Sequence, residues 1–76
     1  MVLSLDRVCF GRWGYVVQIG TSEALAARLR DFGLIPGTKV CRRYCSPGKD
    51  VTAIELRGSV LALRTRDLRR ILVRVA

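Results

Sequence analysis

Seventy-six residues, half of them hydrophobic, supply one small core and no second one. Fourteen Lys and Arg against six Asp and Glu give a net charge of +8, which suits an anionic partner: nucleic acid, an anionic membrane surface or an acidic protein face. No apolar run approaches the ~20 residues of a membrane span, Asp6 and Arg7 interrupt the stretch from Leu3 to Phe10 that a signal peptide would need, and the chain has no histidine, the commonest general base and metal ligand. The expectation is a cytoplasmic domain over residues 1–76 that is not an enzyme.

Taken in order, Leu5 and Val8 are three apart and predict a short turn that seats the N-terminus on the core. Trp13, Tyr15, Val17 and Ile19 then alternate with Gly14, Val16 and Gln18, the period of a strand, and predict Trp13 and Tyr15 inside. Thr21 or Ser22 can cap a helix whose first turn carries Glu23 and whose body holds Ala24, Ala26 and Ala27. Leu25, Leu29 and Phe32 form its apolar stripe. Gly33 stands where a helix end needs a left-handed residue, with Leu34 folding back on the last turn. Pro36-Gly37 fits the centre of a type II turn, because Pro presets φ and Gly accepts a positive one.

Thr38 to Cys45 predicts a second strand, interrupted by Arg42-Arg43. Ser46 to Asp50 is a loop with another Pro-Gly turn. Val51 to Arg57 is a third strand with Ile54 and Leu56 inward. Gly58-Ser59 suits a two-residue type II′ hairpin turn, and Val60 to Arg64 returns as a fourth strand. Thr65 can cap one helical turn through Asp67 and Leu68, and Ile71, Val73 and Val75 mark a fifth strand. The fold predicted is mainly β: a small, partly open five-stranded SH3-like barrel, with one α-helix between strands one and two and a short helical turn before the last. Closure removes unpaired sheet edges.

Chemistry is sparse. The carboxylates stand singly, with no pair spaced for acid–base work and no phosphate-binding loop. Cys9, Cys41 and Cys45 are the soft-metal ligands on offer. Cys41 and Cys45 lie about 13 Å apart along a regular strand, too far to share one ion at thiolate distance, so packing is the better reading of all three. Basic residues gather at Arg42, Arg43 and Lys49 and again from Arg64 to Arg74. Tyr44 is the one candidate for stacking on a base.

The run Arg28-Leu29-x-x-Phe32-Gly33-Leu34-Ile35-Pro36-Gly37 resembles the R-L-x-x-[LM]-G-[LM]-x-P-G run of the ferrous iron transport protein A (FeoA) family. The likeness continues through Val40, Pro47-Gly48-x-Asp50, Ile54-x-Leu56-x-Gly58, Leu61-Ala62-Leu63-Arg64, Asp67-Leu68 and Ile71-x-Val73. Leu5, Gly11 and Val16-x-x-Ile19 also fall in place. Arg42-Arg43 and Lys49 depart from it, where the family more often has apolar residues. The resemblance implies a non-catalytic accessory or regulatory protein of ferrous iron uptake. It would work in the cytoplasm with the membrane transporter FeoB, at times peripheral to the inner face of the membrane. It also brings a transition-metal-binding label, because similar domains end iron-dependent repressors, although no cofactor is expected from these residues. The contact surface expected is the corner with Leu34 and Ile35 together with Arg42, Arg43, Tyr44 and Lys49. The alternatives are a basic nucleic-acid-binding SH3-like barrel, or a metal-sensing domain related to those repressors.

Overall fold

A computed structural model describes residues 1–75. The elements are β1 (Val2–Ser4), a single 3-10 turn (Leu5–Arg7), β2 (Trp13–Ile19), α1 (Glu23–Asp31), β3 (Lys39–Cys45), β4 (Val51–Leu56), β5 (Ser59–Arg64), α2 (Thr65–Leu68) and β6 (Ile71–Arg74). The strands make one sheet in the order β1-β6-β2-β3-β4-β5, and every neighbouring pair is antiparallel.

Six strands replace the five expected. The addition is β1, where Val2, Leu3 and Ser4 pair with Arg74, Val73 and Leu72. Three residues are too few for an alternation to show in sequence, and the turn at Leu5 hid them. The ends of the sheet order, β1 and β5, do not pair with each other among the described residues. The fold is therefore a small, β-rich, SH3-like one and not a closed five-stranded barrel.

The faces of β2 are reversed from expectation. Gly14 and Val16 point inward, while Tyr15 is 54% exposed and Val17 also lies at the surface. Gly14 explains the choice. A Cβ there would stand 2.9 Å from Val75 Cγ1 and 3.1 Å from the Arg74 carbonyl oxygen, so its bare backbone is what lets β6 approach. A register shift between Val16 and Gln18 then brings Ile19 back against the core. The large alternating side chains set the strand but not its inner face.

Ser22 Oγ caps α1, accepting from the Leu25 N–H at 3.3 Å. Ala26 and Leu29 are the buried residues of the helix, Leu25 is half-buried, and Phe32 is 57% exposed, so Phe32 drops out of the stripe and Ala26 joins it. The interior gathers Leu5, Leu29, Leu34, Ile54, Leu68 and Ile71, all essentially without solvent contact. Burying such a side chain is worth about 2 kcal/mol.

Two turns differ in detail. Arg57 (φ 50°) and Gly58 (φ 81°) are the loop between β4 and β5, closed by the pair Leu56 and Ser59. Positive φ at both positions makes a type I′ turn, whose twist matches the strands, in place of the expected type II′ at Gly58-Ser59. In the loop before β4 the left-handed residue is Lys49 (φ 62°). Thr65 does not cap α2. Its hydroxyl donates to the Lys49 carbonyl at 2.6 Å and lies 2.9 Å from Thr52 Oγ1, tying that loop to the start of α2.

Candidate functional site

The corner after α1 is built from local backbone chemistry. Gly33 sits at φ 89°, where an L side chain is strained. With it in place, the Leu34 N–H donates to the Leu29 carbonyl and the Gly33 N–H to the Arg30 carbonyl, each at 2.9 Å, the paired pattern of a Schellman cap. Leu34 thereby packs on Leu29 inside the core. The Thr38 N–H closes the type II turn over Pro36-Gly37 by donating to the Ile35 carbonyl at 3.0 Å, and Thr38 Oγ1 donates to the Gly33 carbonyl at 2.8 Å. Every step fixes the direction of Ile35, which emerges 40% exposed.

Beside Ile35 opens a cleft of about 590 Å³, lined by Trp13, Ile35, Pro36, Lys39 and Arg57 with the backbone at Gly37 and Thr38. Lys39 Nζ lies 5.1 Å from the centre of the Trp13 ring and the Arg43 guanidinium 5.5 Å from it. Glu55 pairs with Arg43 Nε and raises its pKa above the ordinary guanidinium value, which holds Arg43 beside Glu55. The arrangement is an apolar floor under a cationic rim, fit to hold an apolar side chain with a carboxylate beside it.

The expected contact residues are scattered. Leu34 is buried and offers a partner no surface; its neighbour Ile35 does. Arg42 is half-buried and turned inward, with Nη1 donating to the carbonyls of Asp6 and Val8 at 2.8 Å each and its guanidinium 4.1 Å from the Phe10 ring. Such bonds leave it holding the N-terminal segment and not a partner. Arg43 reaches the cleft through Trp13. Tyr44, 65% exposed, lies on a different apolar patch with Pro47, Val51 and Val60. Lys49 belongs to a third, basic hollow with Arg64, Arg66 and Arg69.

The reason Arg42 and Arg43 part is a bulge. Arg42 opposes Ile54 and Tyr44 opposes Ala53, which leaves Arg43 as the extra residue of β3. Pro36 belongs to the expected corner, whereas Trp13, Lys39 and Arg57 line the cleft without having been expected from the sequence, Trp13 because its alternation placed it in the core. The signal available was Gly14: a glycine flanked by bulky alternating residues marks the crowded face of a strand.

The cysteines do not come together as a metal site. Cys9 is exposed, Cys45 half-buried, and Cys41 is buried with its thiol facing the Arg42 carbonyl at 3.5 Å. Among the described residues no three His, Cys, Asp or Glu side chains are grouped to hold an ion. These donors do not fit a resident transition metal.

With the geometry in hand, comparison with known proteins is decisive on kinship. The model of the FeoA domain matches residues 3–75. The chain belongs to the FeoA family. It is similar to the FeoA protein of Chlorobium tepidum in solution, at 25% identity over 96% of this chain and 70% of that one, with a TM-score of 0.92. A crystal structure of an iron uptake regulatory protein (FeoA) is 26% identical over the whole of both chains, with a TM-score of 0.86. The IdeR protein of T. acidophilum, at 20% identity and a TM-score of 0.82, shares the fold alone, and this FeoA-family chain spans about 34% of it. No curated protein matches the chain.

Proposed function

We propose that this chain is a non-catalytic accessory protein of ferrous iron uptake, acting in the cytoplasm by docking on the membrane iron transporter FeoB. The family match over residues 3–75 carries the reading. It is supported by the absence of histidine and by a cleft built to grip and not to react. Ile35 and Pro36 give the apolar contact. Lys39 and Arg57 give the cationic rim that would select an acidic partner surface and steer its approach at physiological salt. No helix among the described residues is long and apolar enough to cross a membrane, so attachment to the transporter would come through this surface and the +8 charge.

Capture of transporter-containing membranes by immobilised protein tests the proposal. Wild type should retain the transporter, and Ile35→Asp combined with Lys39→Glu should lose at least about tenfold in apparent affinity, the effect of one central contact in an interface. Undiminished capture by a folded double variant would move the interface off this cleft. No capture by wild type would remove the docking reading itself.

A further inference from the structure

Besides the Trp13 cleft, the fold carries a second place where a partner can sit, on different residues and independent of the iron-uptake reading. It lies along β5, the last strand of the sheet order. Six consecutive pairs from Leu56–Ser59 to Val51–Arg64 join β5 to β4 without a register shift. The orientation of its outer groups follows from the neighbouring bonds. The Ser46 N–H donates to the Val51 carbonyl at 2.8 Å, so Val51 faces β3; the Thr65 N–H donates to the Asp50 carbonyl at 2.8 Å, so Asp50 faces β5. Alternation then turns Thr52, Ile54 and Leu56 towards β5, where Leu63, Leu61 and Ser59 answer them. Val60 and Ala62 are left with N–H and carbonyl groups pointing away from the sheet.

Natural edge strands are blunted by charge, proline, bulges or cover. From Ser59 to Leu63 this strand has no charge, proline or bulge. Helix α1 lies near it, and Val60 and Ala62 stay exposed. Between the two runs a groove of about 260 Å³, into which Leu25, Phe32 and Leu61 project from either side. Phe32, exposed on the helix without a core role, is accounted for as one wall. On the other face of the strand, Val60 (58% exposed) and Tyr44 continue the apolar surface. A strand laid on this edge would therefore find apolar contacts on both of its faces.

We propose that the β5 edge accepts an extended, carboxylate-bearing segment of a partner protein as an added strand, seated between β5 and α1. Main-chain bonds to Val60 and Ala62 supply the binding and the two apolar faces set the register. Charge selects the occupant. Arg28, Arg64 and Arg66 line the groove against the single carboxylate of Asp67, which favours acidic residues in the incoming strand. A second copy of this chain is disfavoured by the same groups. Pairing β5 with itself about Leu61 sets Arg64 of one copy opposite Gly58 of the other, next to Arg57, between molecules of charge +8 each.

The test uses the full chain, labelled with nitrogen-15, and a short acetylated and amidated peptide of alternating valine and glutamate. Bound peptide should slow amide hydrogen exchange at Val60 and Ala62 by at least about tenfold, leaving Leu61 and Leu63, already paired with β4, little changed. Ala62→Pro removes the outward N–H without touching the β4 ladder and should abolish binding. Arg28→Glu with Arg66→Glu leaves the backbone whole and should weaken binding at least about tenfold, an effect that also grows as salt is lowered. Three results would overturn the proposal: protection elsewhere or none at millimolar peptide, unchanged binding by the double charge variant, or protection of Val60 and Ala62 by self-association without peptide.

Discussion

The corner after α1 and the bulge in β3 solve the same problem by different means. Each separates two adjacent residues of like chemistry, sending one into the molecule and the other to the surface. At the corner, Leu34 goes in and Ile35 out, because a left-handed Gly33 and a Pro-Gly turn leave the backbone one path. At the bulge, Arg42 turns towards the Asp6 and Val8 carbonyls while Arg43 stays at the surface, because one residue of β3 has no opposite number in β4. The corner does its sorting with its own backbone bonds. The bulge depends on a segment more than thirty residues away in sequence.

If that contrast is right, substitutions within each pair should give unequal results. The widest gap is expected at the corner. Leu34→Ala removes a fully buried side chain and should lower unfolding free energy by about 3 kcal/mol, whereas Ile35→Ala should stay within about 0.5 kcal/mol; urea denaturation of the two measures it, and equal losses would break the distinction. At the bulge, Arg42→Met should lower stability by about 2 kcal/mol, since it strands two carbonyls that now accept from a cation. Arg43→Met gives up only an exposed ion pair and a partial ring contact, and its melting temperature should be hard to tell from wild type.

A smaller effect tests the backbone itself. Gly33→Ala forces a Cβ into positive φ and to 3.1 Å from the flexible Arg57 Cδ, and should destabilise by about 1 kcal/mol. Helix content by circular dichroism should fall with it, because the cap goes too. The smallest effect is a gain. Lys49 holds a left-handed conformation that glycine adopts freely, so Lys49→Gly should raise stability by about 0.5 kcal/mol after the added freedom of the unfolded chain is counted. A loss on thermal melting would mean that the lysine side chain contributes more than its backbone strain removes.

The same contrast explains what could be read from the sequence. The corner is punctuated by residues that do one thing each: Gly33 as left-handed terminator, Pro36-Gly37 as turn. All of that was legible, and so was the burial of Ile54 and Leu56. The bulge has no residue that announces it, so the inner place of Arg42 was not legible. Trp13 was misplaced for a related reason. An apolar alternation says that a strand has two faces, but the closeness of β6 behind Gly14 decided which face is inside. The missing sixth strand is the extreme case, since β1 gains its identity only from pairing with the far end of the chain.

That pairing shapes how the molecule must assemble. Val2 to Ser4 meet Leu72 to Arg74, and the Val75 N–H donates to the Met1 carbonyl at 2.8 Å, so the first and last described residues are neighbours. Of all the contacts in the sheet, this one closes the longest loop of chain and has the largest entropic penalty. The β3-β4-β5 meander, joined by short turns, can form long before it. Linking the two ends and opening the chain at Pro47-Gly48 would reverse the order, making β6–β1 a local hairpin and β3–β4 the distant pair. Comparing refolding rates of β3–β4 variants in the two connectivities would show whether the early structure follows the contacts or the thread that joins them.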